Sequence, residues 1–223
     1  MSAQKPILLY TWRTPNGRRV HVFLEELKAA YGTGVIDFDI ELIDLDKNIQ
    51  KQDWFIKLNP NGRIPVIVDR KRDNFVVFET AAILLYLQQF YDKDNKFSFD
   101  KDTEPNDYNE ALQWMFFAHG GVAPMQFEAT YFNKFTSEVV PYAQKRYIGE
   151  TERLYGVLEI RLASRDWLAG PGRGKYSIAD ISVLPWVKFH DFTGIASLDK
   201  WPRVKAWAAR ADEKAAFQAA LAL

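Results

Sequence analysis

Ile64-Pro65 stands immediately before the apolar run Val66-Ile67-Val68 and closes the turn Asn59-Pro60-Asn61-Gly62-Arg63. Proline has no amide hydrogen to lend to a strand edge, and the bond before it is the one most apt to be cis in a tight turn. A cis bond here would turn the backbone N–H and C=O of Ile64 outward, where an extended peptide could pair with them as an added strand. Further on, Glu79-Thr80 opens a helical pattern. Free amides and a hydroxyl at a helix start suit a carboxylate, and the glutamate suits an amine. One end of such a site takes a peptide backbone and the other an α-amino acid head, so the expected ligand is small and derived from amino acids.

Cysteine is absent from the 223 residues. Disulfides, thiolate nucleophiles and cysteine metal sites are therefore excluded, and any thiol chemistry must use a thiol carried by the ligand. Glutathione meets both requirements. The chain has 29 basic and 29 acidic residues, which argues against a nucleic-acid partner, since such binding rests on phosphate neutralisation. The basic cluster Arg70-Lys71-Arg72, among Asp69, Asp73 and Asn74, is expected to be a solvated hairpin tip. Met1 to Pro6 lacks the apolar core of a signal peptide. No apolar run approaches the ~18 residues of a membrane span. A cytoplasmic protein with no membrane association is expected.

Ile7-Leu8-Leu9-Tyr10 reads as a buried strand, and Val20, Phe23, Leu24 and Leu27 place a helix over Arg18 to Ala30. Ile36 to Ile43 alternates apolar and acidic residues with the period of a strand. Gln50 to Leu58 is a weak helical candidate. Val66-Ile67-Val68 and Phe75-Val76-Val77 flank a charged turn as a hairpin, and Ala81 to Tyr91 is helical. The order β-α-β-α-β-β-α is similar to that of a thioredoxin-like domain. Polar residues 93–107, with Pro105, read as a linker. Helices are expected over Tyr108 to Phe135, Pro141 to Arg165, Ile178 to Phe192 and Arg203 to Leu221. The expected class is α/β plus all-α: a thioredoxin-like N-terminal domain over 1–92 and a helical C-terminal domain over 108–223.

Thr14-Pro15-Asn16-Gly17 lies where the first strand turns into the first helix. These residues suit a plain turn and helix start. They also suit a second role, in which the Thr14 hydroxyl and the Asn16 amide donate hydrogen bonds to a bound thiolate. A free cysteinyl thiol has a pKa of about 8.5. Lowering it by about two units takes roughly 2.7 kcal/mol. Hydrogen bonds to a charged group contribute roughly 1.5–3 kcal/mol each, so one or two donors suffice. Tyr10, ending an apolar strand, reads as core.

Ser177-Ile178-Ala179-Asp180 is a capping box, a stability element rather than a site. Gly170-Pro171-Gly172-Arg173-Gly174-Lys175 lacks the spacing of a phosphate loop and reads as a connector. His21, His119 and His190 share no ligand spacing, so no metal site is expected. The aromatics from Trp114 to Phe135 read mostly as packing, with one or two available to wall a second-substrate pocket.

These features together resemble the cytosolic glutathione transferases, over essentially the whole chain. The Asn59–Pro65 turn, Phe78-Glu79-Thr80 and the Ser177–Asp180 box all match, with Thr80 where most members have serine. Thr14-Pro15-Asn16-Gly17 with Phe23-Leu24-Glu25-Glu26-Leu27 is similar to the nu class, as are Gly120 to Met125, Val140-Pro141-Tyr142 with Arg146-Tyr147, and Pro185-Trp186-Val187. That branch includes bacterial glutathione-dependent disulfide reductases and a fungal nitrogen-catabolite regulator. The resemblance implies a homodimer with glutathione as co-substrate. It implies that Asn16 and Thr14 face the sulfur, and that Ile64, beside Pro65, binds the cysteinyl backbone. Glu79 and Thr80 would hold the γ-glutamyl group, Gln50 the glycyl end, and Arg146 would approach from the helical domain. The implied activity directs the glutathione thiolate at an electrophile, as in detoxification, or at a disulfide or peroxide. The alternative is a glutathione-binding regulatory or carrier protein with little turnover.

Overall fold

The computed structural model describes residues 4–222. By their contacts these residues form two compact units, one from residues 4–96 with 215–222 and the other from Phe97–Lys214.

In the first unit, β1 (Ile7–Thr11), β2 (Phe38–Leu42), β3 (Val66–Asp69) and β4 (Phe75–Phe78) make one sheet in the order β2-β1-β3-β4. β1 and β2 run parallel, with Ile7 opposite Phe38, and β3 is antiparallel to both β1 and β4. A parallel pair cannot be joined by a tight turn, and α1 (Pro15–Tyr31) supplies the crossover. Successive strand residues point to opposite faces, and Val66 and Ile67 both have no exposed surface. Both faces of the sheet centre are therefore covered. On one, Phe55 of α2 (Asp53–Leu58) clusters with Ile43, Val66 and Tyr10. α3 (Thr80–Tyr91) packs against β3 and against α1. A 3-10 turn, Ile49–Lys51, precedes α2, so the weak helix expected from Gln50 is split in two.

The hairpin tip is exposed over residues 71–75, as expected, although its basic side chains still find partners. Arg70 Nη1 donates to Asp39 Oδ2 at 2.6 Å and to the Lys5 carbonyl at 2.8 Å. Lys71 Nζ reaches the Val35 carbonyl, and the Arg72 guanidinium lies 3.7 Å from the centre of the Phe90 ring. Long basic side chains bury their stems along apolar surface, which composition around the tip does not register.

In the second unit, α4 (Pro105–Phe117), a π turn at Ala118–Val122, α5 (Ala123–Thr130) and a second π turn at Tyr131–Phe135 form one continuous helical path. Pro124 has no N–H for the carbonyl four residues back, and Gly120-Gly121 let the backbone widen there. The expected linker is ordered: Phe97 and Phe99 are buried, and Pro105 heads α4. α6 (Pro141–Arg161), α7 (Ile178–Val187) and α8 (Pro202–Asp212) follow. Every residue of α7 is buried, and it touches α4, α5 and α8. Its start is the capping box read from sequence: Ser177 Oγ accepts from the Ala179 N–H, and Asp180 Oδ2 from the Ser177 N–H.

The last helix, α9 (Ala215–Leu221), belongs to the first unit, where it packs on α1. That contact explains why α1 is buried over most of its circumference, His21 and Glu26 included.

Candidate functional site

The chain leaves β1 at Thr11 and turns into α1 at Thr14. Thr14 is the N-cap, extended at φ −119° and ψ 156°, and its Oγ1 accepts from the Gly17 N–H at 3.1 Å. Pro15 follows inside the first turn, where its missing N–H costs nothing. A Cβ at Gly17 would stand 2.3 Å from Thr11 Oγ1 and 2.4 Å from the Trp12 carbonyl oxygen. Only a hydrogen fits there, so the helix start is pressed directly onto the end of β1. This fixes Asn16, whose Oδ1 accepts from Arg19 Nη1 at 3.2 Å. Arg19 has no exposed surface, and burial pulls its guanidinium down to about 9.

The second wall is the Asn59–Pro65 turn. Asn59 is buried and braces it: Nδ2 donates to the Arg63 carbonyl at 2.7 Å, and Oδ1 accepts from the Asn61 N–H at 3.0 Å. Gly62 supplies the positive φ that the turn needs, at 61°, and the Ile64-Pro65 bond is cis, as the sequence suggested. The third wall is the junction of β4 and α3. Glu79 sits there at φ 69° and ψ 117°, outside the regions a non-glycine residue favours, at a cost of order 1–3 kcal/mol. It makes no side-chain cap to its own helix. Thr80, the first residue of α3, is buried.

These walls enclose a cavity of about 110 Å³ lined by Asn16, Ile64, Pro65, Glu79 and Thr80, all expected from sequence. Asn59, Asn61 and Arg63 complete the lining. They stood in view in the same motif, but turn chemistry accounted for them fully. Arg63 and Glu79 bring both signs of charge, which suits a zwitterionic ligand. Thr14 does not line the cavity; it acts on it through the N-cap. Gln50 is also outside the lining, with its carbonyl 3.0 Å from where a Gly62 Cβ would stand and its Oε1 buried without a hydrogen-bond partner. Arg146 is exposed on α6, in the other unit. Tyr10 is not at the cavity: its ring packs 5.8 Å from Trp54 and 6.0 Å from Phe55, and burial raises its hydroxyl. A wider, shallower cleft of about 590 Å³ lies at the hairpin, lined by Arg72, Phe75, Tyr86 and Phe90 among others. Within it the Arg72 guanidinium is already stacked on Phe90.

The model of the glutathione S-transferase N-terminal domain matches residues 5–89, and that of the C-terminal domain matches residues 126–213. The chain belongs to the glutathione transferase family. Among its relatives is the disulfide-bond oxidoreductase YfcG of Escherichia coli, 36% identical over 217 residues, covering 96% of this chain and 93% of the relative. Protein URE2 of Candida albicans is 30% identical over 239 residues, covering 93% of this chain and 67% of that protein. Among solved structures, a glutathione transferase homolog from Lodderomyces elongisporus with two glutathione molecules per subunit matches with a TM-score of 0.88 and 36% identity, covering 97% of this chain and 98% of that one. Ure2p in complex with glutathione matches with a TM-score of 0.87 and 29% identity, over 100% of this chain and 96% of that one.

Proposed function

We propose that this protein is a glutathione transferase of the nu type that binds glutathione in the Asn16–Thr80 cavity and directs its thiolate at a second substrate. The observation that carries the reading is the convergence of Asn16, Ile64, Pro65, Glu79 and Thr80 on one cavity in a chain without cysteine. Ile64 would pair with the cysteinyl backbone. The Thr80 hydroxyl and the α3 N-terminus would take the γ-glutamyl carboxylate, and Glu79 its ammonium group. Asn16, at the α1 N-terminus, would donate to the sulfur, with Thr14 holding that terminus in place. Gln50, at the glycyl end, and Arg146 remain parts of the same proposal, as do a homodimer and a cytoplasmic, detoxifying role.

With an electrophile, the sulfur bonds to carbon and the leaving group departs with the electron pair. With a disulfide, the thiolate forms a mixed disulfide and expels a thiolate; a second glutathione then releases glutathione disulfide and the other thiol. With a hydroperoxide, the thiolate takes the terminal oxygen as the O–O bond breaks and the alcohol departs; the resulting sulfenic acid reacts with a second glutathione to give glutathione disulfide and water. None of these routes needs a protein thiol.

The test is mutational. Asn16→Ala should slow turnover at saturating glutathione by roughly tenfold or more while changing affinity little, the pattern of a bond made to the developing thiolate. Unchanged turnover removes Asn16 from the chemistry. Glu79→Ala and Thr80→Ala should instead weaken glutathione binding by roughly tenfold or more, as loss of a charge-assisted bond does; unaltered binding isotherms would contradict the cavity assignment.

A second reading, a regulatory or carrier protein, draws on the packed Tyr10, which leaves the cavity with no tyrosine hydroxyl. It predicts tight glutathione binding with no turnover on an electrophilic halobenzene, a small mixed disulfide and an organic hydroperoxide.

A further inference from the structure

Arg19 is the largest polar side chain on α1 with no exposed surface. Removing a cation from water costs several kcal/mol unless its surroundings return it, and an apolar residue of similar volume would serve packing at least as well. Its neighbours on the same helix, Val20, Val22 and Phe23, are apolar and equally buried, so the position does not demand charge. The guanidinium donates from Nη1 to Asn16 Oδ1, one helical turn back, at 3.2 Å.

A carboxamide has an acceptor end and a donor end of nearly equal size. At a cavity that holds a thiolate, one orientation presents two N–H donors and the other an oxygen that repels the sulfur. A donor fixed on Oδ1 decides between them. We propose that Arg19 is the positioning residue for Asn16, locking the amide so that its NH2 end serves the glutathione sulfur and polarising those N–H bonds. This rests on Asn16 being the thiolate donor. The guanidinium stays protonated at neutral pH even with burial pulling it down to about 9. It can do so without touching the ligand, since it is not part of the cavity lining.

The test titrates the bound thiol, followed by its thiolate absorbance in the ultraviolet, alongside turnover against pH. Arg19→Met keeps the volume and removes the donor. It should raise the bound thiol pKa by about one unit, slow turnover at neutral pH roughly threefold and leave turnover at high pH near that of the parent. Glutathione affinity should change by less than about threefold. Arg19→Lys, which keeps a cation without the planar fork, should show a smaller rise and carries the test if the methionine variant does not fold. In an Asn16→Ala background, Arg19→Met should have no further effect, since a residue acting through another is silent once that other is gone. If Asn16→Ala leaves the thiol pKa where it was, the thiolate reading itself fails. If Asn16→Ala raises it but neither folded Arg19 variant does, Arg19 is structural. If Arg19→Met still raises it without Asn16, the cation acts on the sulfur directly and the positioning role is overturned.

Discussion

Gly17 shows how closely a single residue can tie fold to chemistry. Its missing side chain lets α1 rest on the Trp12 carbonyl, and that seating sets where Asn16 points. One of the two atoms that a methyl would meet, the Trp12 carbonyl oxygen, is backbone, so it cannot swing away as a flexible side chain would. Gly17→Ala should therefore destabilise the protein by roughly 1–3 kcal/mol in urea titrations. It should also slow turnover at saturating glutathione, because the helix start must move off the strand. An alanine variant with parental stability and turnover would show that the two elements are not locked there. At this scale much of the site was legible. Pro65 after Ile64, the glutamate before Thr80 and the Thr-Pro-Asn-Gly turn announce backbone geometries that neighbouring residues alone dictate. Arg19 was not, because a helical arginine reads as solvated and only tertiary packing reveals that this one has no solvent. Arg63 was hidden differently, since a basic residue in a turn needs no further explanation.

Among the elements, α7 has the least freedom. It is apolar on every side, so its one carboxylate, Asp180, must be satisfied internally. Beyond the capping bond, Asp180 Oδ1 accepts from the Leu168 N–H at 3.0 Å and from Trp207 Nε1 at 2.9 Å. The capping box was visible as Ser177 and Asp180; the two longer reaches were not, because sequence spacing says nothing of what packs beside a helix start. Burial pushes the Asp180 carboxyl up to about 6 despite these donors, against an ordinary value of 3.8. Between those values the unfolded chain has released a proton that the folded one still holds. Asp180's contribution is therefore largest below about pH 4 and falls as pH rises to about 6, by roughly 3 kcal/mol. Asp180→Asn should be less stable throughout, since its NH2 group faces donors, but its deficit should narrow across that interval. Urea unfolding of both proteins against pH measures this, and a deficit constant with pH would remove the titration. The two π turns of the α4–α5 path were likewise missed. Hydrophobic period carries through them unbroken, and only Gly120-Gly121 and Pro124 hint at the widening.

Over the whole molecule, the succession of a sheet-bearing half and a helical half followed from the change of period along the chain. The allegiance of α9 did not, since a helix of alanines fits either unit equally well on periodicity. Its Phe217 has no exposed surface, and Ala216 and Ala220 are buried with it. Phe217→Ala should cost about 3–5 kcal/mol, the usual penalty for emptying such a position. The loss should be felt at the proposed glutathione site, because α1, which α9 covers, carries both Asn16 and Arg19. A variant that unfolds at the parental urea concentration would mean that α9 adds little to that packing.

The return of α9 also sets an order of events during synthesis. Residues up to Lys96 leave the ribosome first, yet the helix that covers α1 comes only after Phe97–Lys214 has been translated. At about 5–20 residues per second, that intervening stretch takes on the order of 10 s. Throughout this interval the nascent sheet unit has one face of α1 bare, open to a holdase or to a neighbouring nascent chain. The element that carries Asn16 is thus made well before the helix that encloses it.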